Sequence, residues 1–298
     1  MKTKIEKAVI VVTDSGFGGL NVLINAYKLL HKLKPFKEID LIFYNALPDE
    51  NYGYNQLATM EEKVKVFDTV LEEIEKHYSP DIILVACNTL SVVYENSRNT
   101  KLKQLPVAGI VDTGVRLIYN GLTENVNSKV IIIGTPTTIG SNSHKNKLLK
   151  KGIDPERIIT IPCYKLESEI QDDPNSEIVH RMIDYCCDDV INKISKNEEI
   201  YLALCCTHYE FSKNLFEKYL REKGKNFSII NPNDFMLDEL INKKNIHPAK
   251  ETSINVKIVS RTNVKAEDIE ALGKLIAGRS PEIAKALKSL KYLPPSKH

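Results

Sequence analysis

The chain has 298 residues, 41 Lys and Arg against 39 Asp and Glu, a formal net charge of +2, and six cysteines. That length gives one large or two medium domains with ample core, and the near-balanced, interspersed charge argues against a nucleic-acid or membrane-surface partner. No run approaches the ~18 apolar residues of a membrane span. Residues 1–14 are charged and then briefly apolar, without a small-residue cleavage site; they read as a first strand, and the chain as cytoplasmic. The cysteines do not form a secreted disulfide framework, and the pairs Cys186-Cys187 and Cys205-Cys206 lack the Cys-x-x-Cys spacing of a zinc site.

Apolar runs at 9–13, 39–44, 82–86, 107–111, 130–133, 158–162, 201–204, 227–230 and 256–259 predict buried parallel strands. Between them, 56–78 and 177–195 carry apolar residues at the three-and-four spacing of amphipathic helices. Alternating strand and helix predicts α/β architecture, better divided into two sheets than held in one. The first strand ends in Asp14-Ser15-Gly16-Phe17-Gly18-Gly19-Leu20. This is a glycine-rich turn suited to an anion at a helix N-terminus, or a tight turn capped by Asp14. It lacks the third glycine of a dinucleotide fingerprint, where Asn21 stands, and the Gly-Lys-Ser/Thr of a phosphate-binding loop. A loop with Tyr52-Gly53 follows the second strand and reads as a lid or a turn.

The third strand runs into Cys87-Asn88-Thr89, the fifth into Gly134-Thr135-Pro136-Thr137-Thr138-Ile139-Gly140-Ser141, and the seventh into Cys205-Cys206-Thr207-His208. The C-terminal edge of an open α/β sheet is where ligands bind. Thiols at two such edges can face one molecule from opposite sides and pass a proton from one face of a carbon to the other. A lone strand cysteine is usually a small hydrophobe; two at matching strand ends, each followed by polar residues, favour chemistry. His208 beside Cys206, and Asp14 for Cys87, are proton-tuning candidates. Cys163, Cys186, Cys187 and Cys205 read as structural. The threonine turn reads equally as a carboxylate site or a helix cap supplied by Thr138 or Ser141. The stretch from 263 is Lys-rich and helical in pattern, ending in a tail expected to fray.

Taken in order, Asp14-Ser15-Gly16-x-Gly18-Gly19-Leu20, Tyr52-Gly53, Ala86-Cys87-Asn88-Thr89, Gly134-Thr135-x-x-Thr138-x-x-Ser141 and Cys206-Thr207-His208-Tyr209 resemble the cofactor-independent aspartate/glutamate racemase superfamily, and within it the glutamate racemases. The resemblance covers roughly two-thirds of the chain by residue span. It implies two similar, doubly wound parallel-sheet domains with pseudo-twofold symmetry and the active site between them. The expected boundaries are 1–100 with 214–298, and 101–213. It also implies racemisation of L- and D-glutamate without cofactor or metal, through Cys87 and Cys206 as two bases. Asp14 and His208 would assist, and Glu169 (or Glu167) would supply the family's glutamate. Ser15, Tyr52, Gly53, Asn88, Thr89, Thr135, Thr138 and Thr207 match substrate-holding positions. D-glutamate would serve peptidoglycan synthesis. Members often form homodimers, leaving that assembly open here. The chain departs from the family pattern at Asn51 and Glu210, where prolines are usual, at Cys205, where a glycine is usual, and past residue 240. Aspartate, hydantoin or related acids as substrate, and a carboxylate-binding protein without turnover, are the competing readings.

Overall fold

The structure, a computed structural model, describes residues 6–195, 197–237 and 248–295. The strands are β1 (Lys7–Asp14), β2 (Glu38–Asn45), β3 (Ile82–Val85), β4 (Val107–Gly109), β5 (Lys129–Gly134), β6 (Ile158–Pro162), β7 (Glu199–Cys205), β8 (Asn226–Ile230), β9 (Ser253–Ser260) and β10 (Lys291–Tyr292). The helices are α1 (Leu20–Leu33), α2 (Met60–Tyr78), α3 (Asn88–Asn96), α4 (Ile110–Glu124), α5 (Pro136–Gly140), α6 (Ser143–Lys150), α7 (Leu166–Asp172), α8 (Glu177–Ile191), α9 (Lys213–Glu222), α10 (Ala266–Ala277) and α11 (Pro281–Leu287). Short 3₁₀ turns fill several connections, among them Thr207–Ser212 and Pro232–Asp234.

The chain packs into two compact units. The first holds the described residues of Met1–Ala86, Val93–Ala108 and Met236–His298; the second holds Cys87–Val92 and Gly109–Phe235. The first unit is built on a six-stranded sheet of order β10-β9-β2-β1-β3-β4, the second on a four-stranded sheet of order β6-β5-β7-β8. The pairings β1–β2, β1–β3, β2–β9, β9–β10, β5–β6, β5–β7 and β7–β8 are all parallel. Parallel strands covered on both faces need unbroken apolar sequence. Accordingly Ile10, Val11 and Val12 of β1 and Val130, Ile131, Ile132 and Ile133 of β5 are all buried.

Helix α2 illustrates how local sequence sets an element. Thr59 caps it: its hydroxyl accepts from Glu62 N–H at 3.1 Å, and Glu62 Oε2 accepts from Thr59 N–H at 3.2 Å. Such a reciprocal capping box is worth about 1 kcal/mol. Phe67, Val70, Leu71 and Ile74 form its buried stripe, and the helix stops where Ser79 turns left-handed.

The strand expected at 107–111 ends at Gly109, because Ile110 and Val111 open α4 and bury its core-facing stripe with Val115, Ile118 and Leu122. The second unit continues past residue 213 through Phe235, because β8 adds to β7 in parallel register. Residues 1–5, 196, 238–247 and 296–298, the last including the tail expected to fray, lie outside the described residues. Among the described residues no helix is long and apolar enough to cross a membrane.

Candidate active site

In the first unit the strands of the central sheet end in one row. Asp14 pairs in register with Asn45, and Asn45 with Ser260. Asp14 is fully buried at the end of β1, where its Oδ1 accepts from Gly16 N–H at 3.1 Å and from the Ser15 hydroxyl at 3.5 Å. It therefore orders the glycine turn from within, ahead of α1, whose N-cap position is Gly19. A Cβ on Gly19 would lie 2.8 Å from both Asp14 Cβ and Oδ2, so only glycine lets the turn close over this carboxylate. Tyr52 is largely exposed in the loop after β2, and the neighbouring Gly53 N–H donates to Gln56 Oε1 at 3.0 Å.

The second unit gathers the remaining polar residues at the C-terminal edge of its sheet. Gly134 of β5 lies in register with Cys205 of β7, so the threonine turn and the Cys206 turn leave the sheet side by side. The Cys87 segment comes to the same edge. Thr89 Oγ1 lies 2.8 Å from Thr135 Oγ1 and 3.3 Å from Thr138 Oγ1, and Thr135 Oγ1 lies 3.0 Å from Thr138 Oγ1. These buried hydroxyls form a closed triangle. Thr135, rather than Thr138 or Ser141, caps α5 by accepting from Thr138 N–H at 3.3 Å.

Both thiols stand immediately before a helical turn. Cys87 immediately precedes α3, and its Sγ accepts from Leu90 N–H at 3.5 Å. Cys206 is the N-cap of the 3₁₀ turn Thr207–Ser212. Free backbone N–H groups at such positions favour a thiolate. The thiols are 6% and 7% exposed, which shields them while leaving a path to a small molecule. Asn88 is 2% exposed, and neither its Nδ2 nor its Oδ1 has a hydrogen-bond partner among the described residues. A buried amide with both ends unpaired is costly to a fold, and a ligand that satisfies it removes that cost.

His208 Nδ1 lies 3.9 Å from Cys206 Sγ, and His208 Nε2 lies 3.0 Å from Gln171 Oε1 on α7. Burial alone depresses the imidazole to about 4, so it is neutral near pH 7. Glu169 and Glu167 are half-buried on the same helix, and Gln171 is the α7 residue that bonds His208. Sequence reading missed Gln171. The available signal was its place one turn beyond Glu167, beside the buried Ile170. It also missed Asn233, whose Nδ2 donates to Thr207 O at 3.2 Å and to Glu210 Oε2 at 2.8 Å. Glu210, one of the departures from the family pattern, thus ties the Cys206 turn to the segment after β8. Cys205 is fully buried and its thiol is pushed up to about 12 by burial, which leaves Cys206 as the reactive member of that pair. Among the described residues no cluster of His, Cys, Asp and Glu is arranged to hold a metal ion.

Two parallel-sheet α/β units with thiols at the starts of helical turns define the class of protein. No family model matches the chain. The glutamate racemase of Clostridium acetobutylicum is 31% identical over 219 residues, covering 71% of this chain and 75% of that protein. That of Campylobacter jejuni is 27% identical over 245 residues, covering 80% and 88%. The crystal structure of glutamate racemase from Francisella tularensis in complex with D-glutamate shares the fold, with a TM-score of 0.72 at 20% identity over 98% of this chain and 99% of that one. The chain belongs to the glutamate racemase family.

Proposed function

We propose that this chain is a glutamate racemase that interconverts L- and D-glutamate by two-base proton transfer, with no pyridoxal phosphate or metal. The observation that carries the reading is the set of groups at one sheet edge: two thiols at helix starts, a closed threonine triangle, and the unpaired Asn88 amide. In this reading one cysteine, as thiolate, removes the α-proton, and the other, as thiol, delivers a proton to the opposite face. The planar anion between the two steps is stabilised by fixed N–H and hydroxyl donors. Cys87 and Cys206 exchange these roles with the direction of reaction. Asp14 tunes Cys87, and His208 tunes Cys206. Asn88, Thr89, Thr135, Thr138 and Thr207, with Ser15, Tyr52 and Gly53, hold the carboxylates and the amino group. We assign the support of His208 to Gln171 in preference to Glu169, because Gln171 makes the contact.

The setting that goes with this reading is a cytoplasmic enzyme, supported by six free cysteines, supplying D-glutamate for peptidoglycan. A homodimer and the absence of a nucleic-acid partner belong to the same reading. The test is incubation of the purified protein with L-glutamate, and separately L-aspartate, in D₂O without added cofactor, following optical rotation and α-deuteration together. Loss of rotation with α-deuteration on glutamate alone is expected. The same result on aspartate alone would keep the mechanism and change the substrate, and no exchange on either would sink the reading.

A further inference from the structure

The turn that follows Cys206 is held from a second segment by one side chain. Asn233 stands in the short turn Pro232–Asp234 after β8, in the same unit as Cys206, and is buried. Its own position is fixed locally. The Asn231 side chain accepts from Asn233 N–H at 3.4 Å and donates to Asp234 Oδ2 at 3.2 Å, and the turn packs against α4. A primary amide carries two N–H donors. Asn233 Nδ2 directs both at the Cys206 turn, donating to Thr207 O at 3.2 Å and to Oε2 of the half-buried Glu210 at 2.8 Å. The far end of that turn is tied separately, by the Ser212 hydroxyl donating to Pro174 O at 2.7 Å.

Thr207 lies between Cys206 and His208, and its carbonyl belongs to the peptide plane that leads into His208. Fixing that carbonyl fixes the plane, and with it the 3.9 Å approach of His208 Nδ1 to Cys206 Sγ. Cys87 is placed differently, ahead of the regular helix α3 and against its Leu90 N–H. We propose that Asn233, with Glu210 as its second anchor, is a positioning residue for the Cys206 half of the site and leaves the Cys87 half unaffected. The kinetic part of this rests on the racemase reading, in which the two thiols are the two bases. Displacing a reacting group by about 1 Å can cost on the order of a hundredfold in rate, so loss of the clamp acts on turnover more than on binding.

The experiment uses Asn233→Leu, which keeps the side-chain size and removes both donors. The full-length protein and its variants are assayed for glutamate racemisation. In parallel they are alkylated with iodoacetamide for timed intervals, digested with trypsin and read by mass spectrometry. Cys87 falls in peptide 77–98, and Cys205 and Cys206 fall in 197–213, where fragmentation separates them. In Asn233→Leu, kcat should fall about ten- to a hundredfold while KM changes less than about threefold. Cys206, 7% exposed in the clamped turn, should be alkylated at least about threefold faster, while Cys87 keeps its rate. Glu210→Gln keeps an accepting oxygen for Asn233 and should retain the wild-type alkylation pattern. If Asn233→Leu does not fold, seen as ready alkylation of the buried Cys187, Glu210→Ala takes its place. Having lost one anchor, it should show the same selective acceleration of Cys206. An unchanged kcat, an unchanged Cys206 rate, or equal acceleration of both thiols would overturn the proposal. A wild-type protein inactive on glutamate would instead sink the racemase reading, and the alkylation rates would still decide whether Asn233 holds the Cys206 turn.

Discussion

Gln171 Oε1 can only accept a hydrogen bond, so His208 Nε2 keeps its proton and the Nδ1 lone pair is left facing Cys206 Sγ. The neutral amide fixes the tautomer without stabilising an imidazolium. Gln171→Glu replaces it with a carboxylate, which favours the charged ring. Its His208 titration, followed by NMR of the ring protons, should rise from about 4 by at least about one pH unit, the scale of a single charged neighbour. An unchanged midpoint would show that Gln171 does not govern the ring. At the thiols, Cys87→Ser and Cys206→Ser should each lower racemisation by ~10²–10⁴-fold, the usual loss of one positioned acid or base. Either variant keeping most of the rate would remove that cysteine from the mechanism. Asn88 separates binding from folding. Because its amide has no partner among the described residues, Asn88→Leu should leave the urea midpoint unchanged or raised, while KM for glutamate rises about tenfold or more. A loss of stability with KM intact would make the amide structural.

Among the elements, the turn between β1 and α1 is the one most tightly specified by a single residue. Gly19→Ala forces a methyl against Asp14 Cβ and Oδ2, both 2.8 Å from the ideal position, and Asp14 is fully buried. The variant should lose about 1–3 kcal/mol in urea unfolding, as overpacked sites do. Gly140→Ala, with open space around it, should change stability by no more than about 0.5 kcal/mol. Equal effects of the two would contradict the packing argument. The strands were legible because parallel strands buried on both faces leave continuous apolar runs, as at 82–86 and 130–133. Where apolar pattern serves strand and helix equally, it misled: Ile110 and Val111 joined α4. The two-residue β10 carries no pattern at all. Of the site, the thiols, the threonine turn and His208 were legible because each sits beside a strand end in sequence. Gln171 was not, since its contact with His208 spans 37 residues and depends on how α7 lies against the Cys206 turn.

For the molecule as a whole, two buried histidines set a pH window for stability. His144 on α6 and His208 are each depressed from 6.5 to about 4, in both cases first by burial. His144 Nε2 has no hydrogen-bond partner among the described residues, and the Lys147 ammonium adds to the depression. The folded-state pKa is lowered, so the unfolded chain takes up these protons first. Stability is complete above about pH 6.5, falls as the pH drops toward about 4, and changes no further from this cause below that. A gap of about 2.5 pH units corresponds to about 3 kcal/mol for each group. Asp188, held below 3.8 chiefly by its hydrogen bond from Lys223, acts in a separate window beneath this one. Urea midpoints measured from pH 8 to 4 should therefore begin to fall near pH 6.5, well before carboxylates titrate. His144→Leu cannot take up the proton and fills the apolar setting, so its decline should be about half that of the wild-type protein. If the variant followed the wild-type curve at every pH, the acid sensitivity would belong to other groups and the buried imidazole would carry no part of it.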